Sequence, residues 1–286
     1  MDHTDVGIVH PGSMGAQVAA QAVAAGARVR WSAEGRSGAT RERAARAGLE
    51  AAASMAELTA RCGLVLSVCP PAAALDVARQ VAATGFDGVY VDANAVSPRR
   101  MEQIAETLAG SGATLVDGGI TGPPPRTTGT TRLYLSGDAP AVEPVRALFA
   151  GTLLTPVVLD GPVGRASALK LAFAAYNKIS YALAAEASAL AADHGVLDDL
   201  RDLTAQSLPG TPLAAPDGLA GAGPKAWRWE PEMREIAETW RDSGLPGTFA
   251  DAAARTFARW EEHKDAPTVT SDRLIADLLD ERHGAA

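Results

Sequence analysis

The stretch Val6-Gly7-Ile8-Val9-His10-Pro11-Gly12-Ser13-Met14-Gly15, followed by the alanine-rich run Ala16 to Ala25, decides how the rest of the chain is read. Val6 to Val9 is a short apolar run with β-branched residues, which reads as a buried strand. Ala16 to Ala25 reads as a helix. The turn between them keeps two glycines of the fingerprint G-x-G-x-x-G, at Gly12 and Gly15, and carries His10 where the first would stand. The second glycine of that fingerprint lets a pyrophosphate approach the backbone, and the third lets helix and strand pack closely. A strand, a tight turn and a helix N-terminus in this order present backbone N–H groups to an anion. His10, Pro11, Gly12, Ser13, Met14 and Gly15 are therefore candidate cofactor contacts, with an ordinary βα turn as the alternative.

Working outward, the first half of the chain alternates. Strand-like runs at Val6–Val9, Arg28–Ser32, Leu64–Cys69, Val89–Asp92, Ala113–Val116 and Arg132–Leu135 are separated by helix-like segments at Met14–Ala25, Ser37–Ala47, Met55–Arg61, Ala72–Ala83 and Pro98–Leu108. Gly26 and Gly48 stand at helix-stop positions. This alternation predicts a Rossmann-type α/β domain over residues 1–160, with a mostly parallel, doubly wound sheet. From Val163 to His194 the sequence is alanine-rich and helix-periodic, long enough for roughly 45 Å of helix. Leu208–Gly223 reads as a loop, and helical segments resume at Glu232–Asp242, Phe249–His263 and Ser271–His283, the last with Ser271-Asp272 as its N-cap. Residues 161–286 are thus expected to form an all-α domain entered by a long connecting helix.

The 286 residues carry 26 Lys and Arg against 34 Asp and Glu, a formal net charge of −8, without a basic run. That balance disfavours nucleic acid as a partner. Cys62 and Cys69 fit neither a disulfide framework nor a zinc spacing, and no metal is expected. No uninterrupted apolar window reaches the roughly 18 residues of a membrane span. The N-terminus shows no basic region leading into an apolar one, so a cytoplasmic protein with no membrane partner is expected.

Two further segments refine the cofactor reading. Glu34 follows the second strand, and a carboxylate there suits the ribose 2′-OH of NAD. Arg36, Ser37 and Arg41 follow at a helix start and suit a 2′-phosphate. NADP(H) is the favoured cofactor and NAD(H) the alternative. Cys69-Pro70 and Asn94 end the fourth and fifth strands, at the carboxyl edge where such sheets bind ligands. Asn94 could pair with a nicotinamide carboxamide or with substrate, or simply form a turn.

The substrate elements come next. Asp117-Gly118-Gly119-Ile120-Thr121-Gly122-Pro123 reads either as a loop whose N–H groups hold a carboxylate or as a plain hairpin connection. Lys170 lies six residues after Gly164, between Leu169 and Leu171. A lysine on an apolar helical stretch either snorkels to solvent or serves chemistry.

These motifs together resemble the β-hydroxyacid dehydrogenase superfamily, which includes 3-hydroxyisobutyrate and 6-phosphogluconate dehydrogenases and from which imine reductases also descend. Asp92-Ala93-Asn94 is similar to the family's D-x-S/N element. Thr121-Gly122-Pro123 loosely resembles its S-G-G loop for a substrate carboxylate. Gly161, Gly164 and Lys170 match its G-x-x-G-x-x-x-x-x-K in full. The H-P-G-S-M-G turn and Lys225-Ala226-Trp227-Arg228-Trp229 resemble a less-characterised bacterial branch whose C-terminal domain has no known function. The resemblance implies an NAD(P)-dependent dehydrogenase or reductase acting on CH–OH groups. It implies Lys170 as general acid/base and a small 3-hydroxy acid, or its keto form, as substrate. It also implies a homodimer through the C-terminal helices. The family's usual asparagine after the lysine is replaced here by Phe173 and Ala174. Asn177, two turns beyond Lys170, shares its face and is the substitute. Asn94, Thr121, Gly122, Lys170, Asn177 and Glu232 are the candidate substrate contacts. An imine or ketone reductase, or a non-catalytic NADP-sensing protein, are the alternatives; retention of Lys170 argues against the imine branch.

Overall fold

The computed structural model describes residues 5–215, 217–264, 266 and 268–280. The expected end of the last helix, residues 281–283, and the Gly284-Ala285-Ala286 tail lie outside them. Contacts divide the chain into two compact units, 1–171 and 172–286.

The first unit alternates in chain order: β1 (Val6–Ile8), α1 (Ser13–Ala24), β2 (Val29–Ser32), α2 (Gly38–Arg46), β3 (Glu50–Ala52), α3 (Met55–Arg61), β4 (Leu64–Ser67), α4 (Ala74–Ala82), β5 (Val89–Asp92), α5 (Pro98–Leu108), β6 (Thr114–Thr121), β7 (Thr131–Gly137), α6 (Ala139–Phe149) and β8 (Leu154–Val158). One eight-stranded sheet results, in the order β3-β2-β1-β4-β5-β6-β7-β8. Every pairing is parallel except β6 with β7. The strand order reverses between β1 and β4, and the crevice outside the carboxyl ends at that reversal is where open α/β sheets take ligands.

The sheet is covered on both faces. Val6, Ile8, Leu64, Leu66, Val91 and Leu133 face α1 and α6. Val65, Tyr90 and Leu115 face α3, α4 and α5. Strands buried on both sides read as continuous apolar runs, and β4, with all four residues buried, shows this. Gly26 and Gly48 end α1 and α2 with positive φ, +91° and +74°, a region closed to most side chains.

Three elements of this unit are absent from the sequence reading, as is α8 (Leu197–Ser207) in the second unit. β3 is a three-residue edge strand containing two alanines, poor strand formers. α6 holds Pro140 in its first turn and Pro144 inside it, which masks its period. β8 contains Pro156 and survives as the outer strand beside β7. A further difference concerns Asp117 to Thr121. This segment is no loop of free N–H groups: it continues β6, paired from Val116↔Gly137 to Thr121↔Arg132. Its two glycines are required by neighbours. A Cβ on Gly118 would lie 3.1 Å from the Asp92 carbonyl oxygen and from Ala93 Cβ. One on Gly119 would lie 2.8 Å from the Ala166 carbonyl oxygen and 3.2 Å from Lys170 Cβ.

Those last contacts belong to α7 (Arg165–Asp193), 29 residues and about 44 Å long. The division between the two units falls inside it, so its opening turns, with Lys170, belong to the sheet unit. The second unit is helical, with α8 (Leu197–Ser207), α9 (Ala226–Asp242), α10 (Thr248–Ala258) and α11 (Ser271–Leu279) following the remainder of α7. α9 starts earlier than its sequence suggests, because Pro231 interrupts the period without ending the helix. α11 is capped by Thr270, whose hydroxyl accepts from Arg273 N, and not by Ser271 as the sequence suggested. The unit's core gathers Ala226, Met233, Ile236, Phe257, Trp260 and Leu274.

A methyl group at Gly119 has no room between strand and helix. Gly119→Ala is expected to cost about 1–3 kcal/mol, measurable as a lower urea midpoint than wild type.

Candidate active site

The glycine turn is built by two opposite requirements. The His10 carbonyl accepts from Gly12 N at 2.8 Å, and a Cβ on Gly15 would fall 2.1 Å from that same oxygen. Gly15 therefore sets the close approach of α1 to β1. At Gly12 the reverse holds: a Cβ there would meet nothing within 4 Å. Gly12 is the N-cap of α1, and no side chain caps the helix. Pro11 is buried, Met14 packs against the core and Ser13 is exposed. The result is an open floor of backbone at a helix N-terminus, the arrangement that suits a pyrophosphate.

Beside this floor, the end of β2 gathers cations. Glu34 is exposed and Arg36 half-buried, with its Nε hydrogen-bonded to nothing. Ser37 caps α2, its hydroxyl accepting from Thr40 N at 3.3 Å. Arg41 Nη2 donates to the Ala33 carbonyl at 2.8 Å. Arg43 adds a cation that the sequence did not single out: its Nε reaches back 3.3 Å to the Pro11 carbonyl and its Nη2 donates to Thr40 at 2.9 Å. Only the fold brings residue 43 to the turn at residue 11. Burial first, and the Arg36 charge second, push the His10 imidazole down to about 4, so His10 is neutral.

At the ends of β4 and β5, Asn94 is buried and turned inward. Its Oδ1 accepts from Cys69 N at 2.6 Å and its Nδ2 donates to Ser67 Oγ at 3.1 Å. It ties two strand ends together at the ligand edge, which fixes the course of Cys69-Pro70. Burial pushes the Cys69 thiol up to about 11, so it stands as a thiol rather than a nucleophilic thiolate.

The start of α7 is fixed by one carboxylate. Asp117, buried in β6, accepts from Gly164 N at 2.8 Å, Ser167 N at 3.0 Å, Ser167 Oγ at 2.6 Å and Ser136 Oγ at 3.0 Å. Ser136 Oγ in turn accepts from Ala166 N at 3.1 Å. The orphan amides of the helix start are thereby satisfied from the sheet, and a negative charge sits at the positive end of the helix dipole. Lys170 follows one turn later, against Gly119. Thr121 and Gly122 form the neighbouring hairpin end; Gly122 has φ +101°, and the hairpin closes through Thr131 Oγ1 donating to the Pro123 carbonyl at 2.6 Å.

A family model described as the NAD binding domain of 6-phosphogluconate dehydrogenase matches residues 5–152, just over half the chain. The chain belongs to that family. A second model, a domain of unknown function (DUF1932), matches residues 191–260. Among solved structures, the chain is similar to the conserved protein MTH1747 of unknown function, described as structurally similar to 3-hydroxyacid dehydrogenases, with 26% identity, 91% of this chain and 97% of that one covered, and a TM-score of 0.71. A conserved hypothetical protein from Sinorhizobium meliloti 1021 shares 26% identity over 96% of each chain, with a TM-score of 0.68. The Mycobacterium tuberculosis 3-hydroxyisobutyrate dehydrogenase solved with L-serine has the same fold at 19% identity, covering 97% of this chain and 99% of that one, with a TM-score of 0.77. No curated protein matches the chain. The family is one of NAD(P)-binding domains, and the open backbone at Gly12, the uncapped α1 and the free Arg36 Nε fit such a dinucleotide. Among the described residues, no helix is long and apolar enough to cross a membrane.

The second unit of this NAD-binding-family protein holds the remaining candidates. Asn177 is exposed on α7, seven residues beyond Lys170. Glu232 is paired with Lys178, both largely buried, and the Lys178 ammonium lies 5.5 Å from the Trp229 ring centroid. Tyr181, Trp229, Phe257 and Trp260 stack in succession with centroids 5.3–5.9 Å apart, so these aromatics build the core of the unit. Glu262, His263 and Asp277 bring their ligand atoms within 4.8 Å of one another, but Arg273 already pairs with both carboxylates.

One buried group at the ligand edge stands out electrostatically. Asp92 accepts from Asn94 N at 3.1 Å through Oδ1, while its Oδ2 has no partner. Burial pushes this carboxyl up to about 7, against about 3.9 in an unfolded chain. Between those values the folded protein holds a proton that the unfolded chain has released. The stability contributed by Asp92 is therefore present at low pH and lost as pH rises from about 4 to about 7. Asp92→Asn is expected to remove that part of the slope, seen by comparing urea midpoints of variant and wild type across this range.

Proposed function

We propose that this chain is an NAD(P)-dependent oxidoreductase that transfers hydride between the nicotinamide and a small 3-hydroxy acid or its keto form, with NADP(H) preferred. The observation that carries the reading is the seating of Lys170. The missing side chain at Gly119 lets the opening turns of α7 lie directly on β6, and Asp117 locks them there. A lysine whose backbone and Cβ are fixed in this way presents its amine from a defined point, which general acid–base catalysis rewards. The sheet unit acts as the dinucleotide-binding part, with Thr121 and Gly122 as contacts for the substrate carboxylate and hydroxyl; Asn94, expected from the sequence to touch cofactor or substrate, is instead hydrogen-bonded to Cys69 and Ser67.

Bound nicotinamide supplies the hydride acceptor or donor. In the oxidation direction Lys170 Nζ takes the hydroxyl proton while the carbon-bound hydrogen leaves as hydride. In reduction the same ammonium returns the proton to the oxygen of the nascent alcohol. Ser67, Asn94 and Cys69 N hold the strand ends still beneath the reacting groups. The preference for NADP(H) is supported by Arg36, Ser37, Arg41 and Arg43 at the end of β2, with Glu34 exposed beside them.

The second unit serves as the dimerisation part. Tyr176, Leu183 and Leu190 are exposed at seven-residue intervals along α7, the spacing of an apolar seam along a helix. An apolar groove lined by Ala187, Leu190, Ala191, Val196, Leu200 and Leu203 continues it.

Lys170→Ala is expected to lower kcat about a thousandfold while leaving the Kd for NADP+ within about twofold, followed by nicotinamide absorbance and by titration calorimetry. Unchanged turnover would remove Lys170 from the mechanism. Arg36→Ala is expected to weaken NADP+ binding about tenfold or more and to leave NAD+ binding nearly unchanged. Equal losses for the two cofactors would overturn the 2′-phosphate assignment.

A further inference from the structure

His10 is the residue of the glycine turn that the fold does not require. The close contact that shapes the turn belongs to Gly15, and the part His10 plays in it is made by its backbone carbonyl. Its side chain is another matter. Nδ1 is shut off from solvent and hydrogen-bonded to nothing, and so is the Nε of Arg36. A buried polar nitrogen without a partner costs about 1–3 kcal/mol. The Arg36 charge acts on His10, and one anionic acceptor would serve both the Arg36 Nε and a protonated His10 Nδ1.

The groups that reach the turn are mainly arginines, with two carboxyls, Glu34 and Asp92, farther out. From the segment after β2, Arg36 lies close enough for its charge to act on His10. From α2, Arg43 reaches the Pro11 carbonyl. From the end of β4, Cys69 is a neutral thiol that feels the buried Asp92 carboxyl and then the Arg36 charge. Glu34, between β2 and Arg36, is exposed. An anion that displaces the atoms covering these nitrogens gains both of them as partners, beside the Arg36 and Arg43 charges.

We infer that His10 is a contact for the 2′-phosphate of NADP, shared with Arg36, and that it takes up a proton from solvent as that phosphate binds. The phosphate dianion supplies the acceptor that both nitrogens lack. It also offsets the Arg36 charge, which after burial is the second cause holding the imidazole neutral. Histidine in place of the fingerprint's first glycine thus adds selectivity for the phosphorylated cofactor, and it makes binding pH-dependent. This rests on the NADP reading of the proposed function.

The test is an NMR titration of the full chain with 15N-labelled histidine, free and with saturating NADP+ or NAD+. The His10 signals are assigned by their loss in His10→Gln, or by elimination using Gln variants of the other four histidines. In the free protein His10 is expected to stay neutral down to about pH 4. With NADP+ its titration is expected to move upward by about two and a half units or more, and with NAD+ to stay in place. Calorimetry on wild type and His10→Gln gives the companion readout: between about pH 8 and pH 6 wild type should gain about threefold or more in NADP+ affinity relative to the variant. NADP+ binding that leaves the His10 titration unmoved would overturn the inference while leaving the cofactor reading intact. An equal shift with NAD+ would overturn the 2′-phosphate contact. Failure of both cofactors to bind would overturn the cofactor reading, and the inference with it.

Discussion

The Asp117 carboxylate, buried in β6, is the point on which the candidate site depends. It accepts four hydrogen bonds, three of them from the first turn of α7 and the residue just before it. A carboxylate so placed has no water to fall back on. Losing its partners would leave a buried charge unpaired, and losing the carboxylate would leave helix amides unpaired. The opening turns of α7 are therefore docked at a defined height and rotation on the sheet. Lys170 inherits that position, because it lies less than one turn beyond Ser167 on the same rigid element.

Around that anchor, the site is shaped as much by missing side chains as by present ones. Gly119 makes space for the Ala166 carbonyl and for Lys170, Gly118 for the Asp92 carbonyl, and Gly15 for the His10 carbonyl. Gly12 is different: its missing side chain leaves room that no protein atom fills. The electrostatics follow the same local logic. A chain of net charge −8 nevertheless concentrates Arg36, Arg41 and Arg43 beside the open backbone turn at Gly12, which suits an anionic dinucleotide better than the overall charge suggests.

Much of this was legible in the residues. The alternation of apolar runs with alanine-rich segments gives the doubly wound unit, because parallel strands buried on both faces must be apolar throughout. The long helix shows as 30 residues without a breaker. Most of the elements that stayed hidden have residues that suit their structure poorly: alanines in β3, prolines in α6 and β8, and Pro231 inside α9; α8, with no such residue, was also missed. Each of the former is held by its neighbours rather than by its own propensity. Asp117 to Thr121 was open between loop and hairpin for a related reason. Glycines in a row read as irregular backbone unless the atoms pressing on them are known.

The sequence by itself determined the class of the protein: the turn at residues 10–15, the D-x-N element at residues 92–94 and the glycine–lysine spacing at residues 161–170 are local patterns, and local patterns carry the local backbone chemistry with them. The tertiary structure alone decided what those residues touch. It turned the Asn94 amide inward to Cys69 and Ser67, brought Arg43 to Pro11 across 32 positions, paired Lys178 with Glu232 and set Asp117 beneath α7 across 47. These are partnerships between segments distant along the chain. No periodicity or spacing encodes them, because they arise only when the sheet order and the helix docking bring the segments within hydrogen-bond reach.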